Sequence, residues 1–257
     1  KGEPQKHAVA NINPYLIDAP DLIIAKRKTQ ISGEIEMLYG NKPTDGGNLI
    51  LSSDEKETLI AAEPLAEQYI RPFIGAEEFL NGKTRWCLWF HGVSDVKRNY
   101  DLKQMPKVQA RIQAVKAMRE ASSKASTQKK AATPWLFDEI RQPSDGNYLI
   151  IPRVSSESRR FVPIGYLSHQ IIISDSSFML PNATLYHFGI LCSTMHNAFM
   201  RTVAGRLKSD YRYSNTVVYN NFPFPESCCK PNDDETACQE ASGKKGETSR
   251  PDRKSVV

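Results

Sequence analysis

The chain has 257 residues, of which 34 are Lys or Arg and 29 are Asp or Glu, giving a formal net charge of +5 with 40% hydrophobic residues. This length and composition allow one large or two small domains with a buried core, and they exclude collagen, a coiled coil and a globally disordered chain. The longest wholly apolar runs are about four residues, against the roughly 20 that span a bilayer, so we expect no membrane partner.

The start of the chain and its cysteines indicate the setting of the protein. The chain begins at Lys1 and its first methionine is Met37, so we interpret it as part of a longer protein. No basic segment leads into an apolar one, so no secretory signal is predicted. An odd number of cysteines without a Cys-x-x-Cys pair argues against a disulfide framework or a zinc ribbon and favours a reducing cytoplasm. The five are Cys87, Cys192, Cys228, Cys229 and Cys238.

Charge is unevenly distributed along the chain. Residues 52–79 contain seven acidic and two basic residues, a balance of −5, whereas residues 97–160 contain fourteen basic and six acidic residues, a balance of +8. A basic segment of this kind suits a polyanionic partner such as nucleic acid, although solvated basic surfaces are also common.

The first third of the chain predicts short strands and short helices. Strands are expected at 22–25 and 48–51, on either side of a glycine loop at 40–47, and at 86–90. Ser52 or Ser53 can cap a helix that runs to about residue 62, because acidic residues crowd its first turn. Pro64 can then open a second short helix.

Two long helices are predicted further along. Apolar residues at helical spacing predict one at 101–121, with Asp101 as its cap. The second is expected at 183–203, ended by Gly205. Between them, the small, polar and basic residues 122–133 predict a mobile loop. The apolar stripe of the first helix consists of Met105, Val108, Ile112, Val115 and Met118.

The remaining segments complete an α+β fold class, with mixed short β-sheets, two long helices and a disordered C-terminal tail. Residues rich in β-branched and aromatic side chains, separated by turn residues, predict the later strands. These lie at 148–154, 160–167, 170–174 and 211–219. The polar tail at 226–257 has too few large aliphatic residues to build a core, so we expect it to be disordered.

Motifs for catalysis are incomplete in this sequence. Asn-Ile-Asn-Pro-Tyr at 11–15 is similar to the Asn/Asp-Pro-Pro-Tyr loop of amino-methyltransferases, but the second proline is missing, so we predict a structural turn. Pro20 and Asp21 before Lys26 lack the further carboxylate of a magnesium-dependent nuclease. Gly46-Gly47 precedes a strand, which is the wrong order for a dinucleotide site.

The chain also lacks a complete metal or nucleophile set. Cys192 and His196, with His187 near them in sequence, are too few for a metal centre and are predicted to be core or hydrogen-bonded residues. No serine lies in a nucleophile elbow. The chain is therefore predicted to be inactive alone, without metal or cofactor of its own.

Seven sequence strings, in order, are much more specific. They occupy 11–20, 40–47, 69–79, 85–89, 151–160, 205–214 and 219–225. The series resembles the MmeI-like family of bacterial restriction and modification enzymes, in the region that includes the target recognition domain. The resemblance covers about residues 10–225 and ends after Pro225, where this chain continues into a polar tail.

The resemblance implies a domain organisation and partners. Members carry a nuclease, a helical connector, an S-adenosylmethionine-dependent adenine methyltransferase, the recognition domain and a C-terminal helical segment in one polypeptide. This chain would then contain a post-methyltransferase segment at 1–95, a DNA target recognition domain at 96–225 and the tail at 226–257. Its partners would be double-stranded DNA and two domains of the parent, the methyltransferase and the nuclease. The full-length parent would also bind S-adenosylmethionine.

Two sets of residues are candidates for DNA contact. Basic side chains on predicted turns and helix ends can neutralise phosphates, and this role is favoured for Arg159 and Arg160 over the alternative of a salt-bridged surface turn. The phosphate set is Lys124, Lys129, Lys130, Arg153, Arg159, Arg160, Arg201, Arg206 and Lys208. Amide, hydroxyl and guanidinium groups can bond base edges, although 168–170 could be an ordinary strand start. The base-readout set is Arg141, Gln142, Ser168, His169 and Gln170.

Two functions follow from these alternatives. The chain is either a sequence-specific DNA recognition module or a folded remnant that serves in interactions and binds no DNA specifically. A standalone enzyme would need catalytic residues that the sequence does not provide.

Overall fold

The computed structural model describes residue 3 and residues 5–225, so the polar tail predicted at 226–257 lies outside the described residues. The chain divides into two compact units, Lys1–Pro223 and Phe224–Val257, and the architecture below is that of the first. Among the described residues no helix is long and apolar enough to cross a membrane.

The fold is α+β, with short strands and helices alternating along the chain. The first half contains β1 (Leu38–Tyr39), β2 (Ile50–Leu51), α1 (Ser53–Ala62), a 3₁₀ helix (Pro64–Tyr69), β3 (Ile70–Ile74), α2 (Ala76–Asn81), β4 (Arg85–Leu88), α3 (Asp95–Leu102), α4 (Pro106–Glu120), α5 (Ala125–Lys129) and a 3₁₀ turn (Lys130–Ala132). The second half contains β5 (Asn147–Pro152), β6 (Val154–Ser155), β7 (Gly165–Ser168), β8 (Ile172–Ile173), β9 (Ser177–Pro181), α6 (Leu185–Leu191), α7 (Thr194–Val203), β10 (Gly205–Leu207), β11 (Asp210–Arg212) and a π-helical turn (Asn215–Tyr219).

One sheet, in the order β2-β4-β3-β8, carries the larger core. Its β3 and β8 strands run parallel, with Phe73 opposite Ile172, so that two segments far apart in the sequence close one sheet. Helix α4 packs Val108, Ile112 and Val115 into this core. The apolar stripe predicted from helical spacing is therefore a core face, as expected.

A second sheet, in the order β1-β9-β5-β7, is entirely antiparallel. Its central strand β5 is buried over Tyr148–Pro152, and Tyr148 and Ile150 pack with Ile173 and Met179. A third, small sheet joins β10, β11 and β6, so β11 connects a terminal hairpin to the segment that follows β5. The start of β5 therefore lies beside the end of β7, whereas its end leads into β6 and the third sheet.

The two long helices predicted from the sequence are each broken in the structure. The expected helix at 101–121 is α3 followed by α4, because Pro106 occupies the first turn of α4 and cannot continue a helix from Leu102. Asp101 is therefore inside α3, where it is buried and accepts a hydrogen bond from the Tyr69 hydroxyl, rather than capping α4.

The second break follows Leu191. The expected helix at 183–203 is α6 followed by α7, and Ser193 caps α7 by accepting a hydrogen bond from the His196 backbone at 3.1 Å. A serine hydroxyl in this role marks the start of a new helix, which apolar spacing alone does not indicate. The helix ends at Val203 and Gly205 already belongs to β10.

Several other local predictions are corrected. Residues 122–133, expected as a mobile loop, contain α5 and a 3₁₀ turn with Thr127 and Ala131 buried. No strand forms at 22–25 in the described chain, and the expected strand at 211–219 is only β11 before a π-helical turn. Capping by Ser52 is confirmed, since its hydroxyl and the Glu55 carboxylate form a reciprocal capping box.

Candidate nucleic-acid interface

The β10–β11 hairpin presents a narrow basic ribbon. Arg206, Lys208 and Arg212 are all exposed on this hairpin, and Arg206 lies opposite Tyr211 in the register. Lys208 has a left-handed backbone, φ +57°, at the turn between the two strands. A two-stranded ribbon is narrow enough to approach a nucleic-acid groove.

The guanidinium of Arg206 is fixed on the ribbon. It lies 3.7 Å from the ring centre of Tyr211 and donates from Nη1 to the Ser209 carbonyl at 2.8 Å. Stacking and a hydrogen bond together restrict this long side chain, so its charge is preorganised rather than mobile.

The turn after β6 lies beside the ribbon and is held by Arg201. The Nη2 of Arg201 donates to the carbonyl oxygens of Arg159 and Arg160, and its Nη1 donates to the Tyr211 hydroxyl at 3.3 Å. The side chains of Arg159 and Arg160 are exposed. One arginine therefore orders the backbone of a turn that exposes two others.

Positive charge on this surface is largely uncompensated. We use the name basic face for both sides of the ribbon together with the adjoining turn, and define it as Arg159, Arg160, Arg201, Arg206, Lys208 and Arg212. Arg206 and Arg212 point to opposite sides of the ribbon, because Arg206 pairs with Tyr211 and neighbouring residues of a strand alternate. Within the described residues, none of these six makes an ion pair within 4.0 Å. Two acids, Glu157 and Asp210, lie in the same region, where the Glu157 backbone donates to the Asp210 carboxylate at 3.3 Å.

Arg153 has a more internal position than the basic face. It lies between β5 and β6, is half-buried, and donates from Nη1 to the Asp175 carbonyl at 2.8 Å. Its guanidinium carbon lies 5.0 Å from the Tyr39 ring centre. Lys124, Lys129 and Lys130 are exposed on the short helical segment that packs against α4, in a different part of the fold.

Four of the five residues predicted for base readout, all except Arg141, line a groove of about 960 Å³. Ser168 ends β7, and His169 and Gln170 form a turn rather than part of a strand, with the Ser168 hydroxyl accepting from the Gln170 backbone at 3.4 Å. The groove is lined by Ile70, Arg71, Pro72, Trp89, His91, Gly92, Gln142, Pro143, Ser144, Ser168, His169, Gln170, Ile171 and Ile172. We refer to it below as the groove.

Three members of the readout set make side-chain contacts within the chain: Gln142, Arg141 and His169, whose Nδ1 lies 3.2 Å from the Gly146 carbonyl. The Gln142 amide donates to the carbonyls of His169 and Ile171, at 2.8 and 2.9 Å, and its oxygen accepts from Asn41 at 2.8 Å. Arg141 donates to the Gly40 carbonyl at 3.0 Å and pairs with Glu139. Gln170 is exposed, and no hydrogen bond engages its side-chain amide within the described chain.

The readout turn at Ser168–Gln170 and the arginines that follow β5 lie at opposite ends of this strand. Ser168 pairs with Asn147 at the start of this strand, whereas Arg153 follows its last residue and leads into β6. Six residues of extended chain at about 3.3 Å each separate the two ends by roughly 20 Å. Sequence patterns did not indicate this separation, because Arg153, Arg159, Arg160 and residues 168–170 all fall within one short stretch of the chain.

Sequence reasoning missed several residues at these surfaces. Arg212 joins the basic face, and Arg71, Trp89 and His91 line the groove. Arg71 and Trp89 fall in the strings at 69–79 and 85–89, and Arg212 falls in the string at 205–214. Those strings were a usable signal, but only the fold brings Arg71 and Gln170 into one groove.

The asparagine-proline-tyrosine segment forms a closed turn. Asn13 is buried, its Oδ1 accepts from the backbones of Tyr15 and Ile17 at 3.0 and 3.3 Å, and its amide donates to the Pro20 carbonyl at 3.5 Å. The polar atoms of Asn13 are therefore used within the turn and do not fit a methyl-donor or base site. The predicted structural turn is confirmed.

His196 is fully buried and Cys192 is half-buried. His196 Nδ1 bonds to the Leu191 carbonyl at 3.0 Å and its Nε2 bonds to the Tyr213 hydroxyl at 3.1 Å. Burial lowers the pKa of His196 to about 4. Both ring nitrogens are thus occupied, which confirms the prediction of a hydrogen-bonded core histidine.

Comparison with known proteins identifies the fold. The family described as MmeI, target recognition domain, matches residues 18–226. The chain belongs to the MmeI target recognition domain family. A solved structure of the type IIL restriction-modification enzyme MmeI in complex with DNA superposes with a TM-score of 0.83 and 43% sequence identity, over 92% of this chain and 30% of that one.

A curated relative supports the same family. DNA methyltransferase A of Bacillus subtilis (strain 168) is 39% identical over 222 residues, which is 86% of this chain and 25% of that protein. The chain therefore spans between a quarter and a third of the length of these two relatives. In both of them the matched segment is one part of a longer protein.

Proposed function

We propose that this chain recognises a specific sequence in double-stranded DNA as the target recognition domain of a restriction-modification enzyme. The observation that carries the proposal is the basic face, where the described residues offer six cations and no ion-pair partner. The MmeI relative, solved with DNA, supports a duplex as the polyanion. Condensed counterions released from phosphates would supply sequence-independent affinity at this face.

Within this proposal, the role of each basic side chain depends on whether it is exposed and unpaired or is held by hydrogen bonds within the chain. Arg159, Arg160 and Lys208 contact phosphates, because they are exposed and unpaired in the described chain. Arg201 and Arg206 hold the turn and the ribbon in place, and can add phosphate contacts with their remaining N–H groups. The rest of the phosphate set, Arg153, Lys124, Lys129 and Lys130, contributes longer-range attraction.

Base readout is assigned to the turn at Ser168, His169 and Gln170. An exposed glutamine amide can form a bidentate pair with a base edge in the major groove. Gln142 contacts the backbone of this turn, which supports a positioning role for it, whereas the Arg141 side chain contacts Gly40 and Glu139.

The larger enzyme supplies the chemistry in this proposal. The parent resembles an adenine-specific DNA methyltransferase that acts in the cytoplasm and uses S-adenosylmethionine as methyl donor, with the target base flipped out of the duplex. The closed Asn13 turn does not fit that donor, so we place donor binding outside this chain and expect the chain alone to transfer no methyl group.

The test of DNA recognition is selection of a random duplex pool on the purified chain at low and moderate salt. We expect an enriched, non-palindromic motif of a few base pairs. Salt-sensitive binding without a motif would mean that readout requires the rest of the enzyme. A folded chain that binds no duplex would overturn the proposal and favour an interaction remnant.

A double variant tests the basic face. Replacing Arg159 and Arg160 with Ala should weaken binding to all duplexes alike and reduce the slope of log K against log salt by about 0.9 for each phosphate that is no longer neutralised. The matched control is Lys103→Ala with Lys116→Ala, which removes the same charge from the α3–α4 region. If both double variants reduce the salt slope equally, the loss reflects net charge alone, which would contradict a specific role for this face.

A further inference from the structure

The segment that precedes β1 exposes apolar side chains to an unusual degree. Of the fourteen large hydrophobic residues exposed in the described chain, seven lie between residues 9 and 31. They are Val9, Ile12, Leu16, Ile17, Leu22, Ile23 and Ile31, and the most exposed are Leu16 at 84% and Ile23 at 74%. Concentrated apolar exposure of this kind marks a surface that another protein covers.

This segment is nevertheless shaped by its own hydrogen bonds. The Asn11 amide donates to the Ala19 carbonyl at 2.7 Å, and the Ile24 backbone donates to the Tyr15 hydroxyl at 2.6 Å. Together with the closed Asn13 turn, these contacts occupy polar groups inside the loop. The aliphatic side chains are left on its outside, so the surface is preorganised rather than a random coil.

Leu16 is held in a conformation that suits a covered position. Its backbone has φ +61°, in the left-handed region that leucine rarely adopts, while its side chain is 84% exposed. Hydrogen bonds of the Asn13 turn hold this backbone, including the one from the Leu16 backbone to the Asn13 carbonyl at 2.8 Å, but the side chain stays in solvent. Insertion into an apolar site on a partner would remove this side chain from water.

The base of the segment is firmly attached to the domain. The Arg27 backbone donates to the Thr216 carbonyl at 2.9 Å, and the Asn220 and Asn221 amides donate to the carbonyls of Arg27 and Ala25, at 2.9 and 3.0 Å. A partner bound to residues 12–23 would therefore be fixed relative to the recognition domain. That arrangement suits an enzyme in which recognition and chemistry must keep a set distance.

We infer that residues 12–23 form the docking surface for the methyltransferase domain of the parent enzyme, through an apolar contact centred on Leu16, Leu22 and Ile23. The relative of 39% identity is a DNA methyltransferase four times the length of the matched segment, so most of such an enzyme lies outside this chain. The inference rests on the proposed function for the identity of the partner, but it does not involve the basic face or the groove.

The test compares each variant in two settings. One is the chain alone, and the other is a chimera in which this chain replaces the matched 222 residues of DNA methyltransferase A of Bacillus subtilis. Leu22→Ser with Ile23→Ser should leave the melting temperature of the chain alone unchanged, because both side chains are already in solvent. In the chimera the same change should lower the melting temperature by about 5 °C or more and reduce methyl transfer at least tenfold.

Leu16→Gly should change stability in opposite directions in the chain alone and in the chimera. Glycine relieves the left-handed backbone, so the chain alone should be as stable as before or more so, whereas the chimera should lose stability and activity. The matched control is Val96→Ser with Leu185→Ser, which removes two aliphatic side chains exposed at 83% and 78% elsewhere on the domain. This control should change neither the chain nor the chimera.

Defined outcomes overturn the inference. It fails if the segment variants and the control have equal effects in the chimera. It also fails if sedimentation shows no contact between the wild-type chain and the rest of the methyltransferase, whether the two are fused or mixed as separate chains. It also fails if the chain alone dimerises and Leu16→Gly abolishes the dimer, since the occupant is then a second copy. Salt-dependent DNA binding by the chain alone should be the same in all these variants, because they do not alter the basic face. Absence of DNA binding by the wild-type chain would refute the proposed function without bearing on the docking surface.

Discussion

The side-chain amide of Gln142 donates to the carbonyl oxygen of His169 at 2.8 Å and so links two segments 27 residues apart. The same nitrogen donates to Ile171 at 2.9 Å, and the amide oxygen accepts from the buried Asn41. A residue type suited to reading bases is therefore used to hold the turn that carries another such residue, Gln170. The two glutamines allow a matched pair of variants.

Gln142→Glu should destabilise the domain. A carboxylate cannot donate to the two carbonyls that Gln142 holds, so we expect the free energy of unfolding to fall by about 1 to 3 kcal/mol. Urea denaturation of the purified chain measures this decrease. An unchanged midpoint would show that the turn does not depend on this amide.

Gln170→Glu should leave stability unchanged and alter DNA preference. Its amide is exposed, so the same chemical change affects only a bound base, with an expected shift of about 1 to 3 kcal/mol in preference at one base pair. Duplex selection followed by titration of single-base variants checks this prediction. An unaltered target profile would remove Gln170 from the readout set.

Arg119→Lys should be strongly destabilising. Arg119 is fully buried and donates to five carbonyl oxygens, those of Thr44, Lys130, Thr133, Pro43 and Leu136. Lysine has three donors on a single nitrogen, so several carbonyls would be left without a partner, and we expect a decrease of about 3 kcal/mol or more in the free energy of unfolding. Arg111→Lys, at the partly exposed pair with Glu55, is the control and should cost less than about 1 kcal/mol. Similar costs at the two sites would contradict a special role for the buried guanidinium.

Acid should destabilise the domain through His196 before most carboxylates titrate. Burial lowers the pKa of His196 from 6.5 to about 4, so the folded protein holds this ring neutral while the unfolded chain takes up a proton near pH 6.5. The contribution is complete above pH 6.5 and is lost as the pH falls to about 4, amounting to roughly 3 kcal/mol. Unfolding free energies measured between pH 7 and pH 4.5 should fall in the wild type and vary less in His196→Gln. Parallel pH profiles would show that other groups cause the decline.

The cap of α1 distinguishes two neighbouring serines. Ser52 accepts a hydrogen bond from the Glu55 backbone at 3.1 Å, and the Glu55 carboxylate accepts one from the Ser52 backbone at 2.9 Å. Ser52→Ala should lower stability by about 1 kcal/mol, and Ser53→Ala, one residue along, should change it by much less. Thermal denaturation of the two variants compares them, and a larger decrease at Ser53 would contradict the observed cap.

Helix termini illustrate where sequence patterns succeed and where they stop. The spacing of Val108, Ile112 and Val115 predicted a core face on α4, and the acidic first turn predicted the start of α1. The two predicted helices ran through Pro106 and Ser193, although each of these residues starts a new helix. Apolar periodicity measures burial along a helix axis and does not register a change in that axis.

The site divides in the same way. The sequence by itself determined which chemistry was available, namely guanidinium groups near Arg159 and Arg160, amides near Gln142 and Gln170, and a family resemblance over residues 10–225. Only the tertiary structure decided which of these groups are free. The amide of Gln142 and the guanidinium of Arg201 are bound to backbone carbonyls of residues distant in sequence. Their partners depend on how sheets bring separate segments together, since a hydrogen bond requires both groups within about 3 Å and sequence spacing fixes that distance only within a single element.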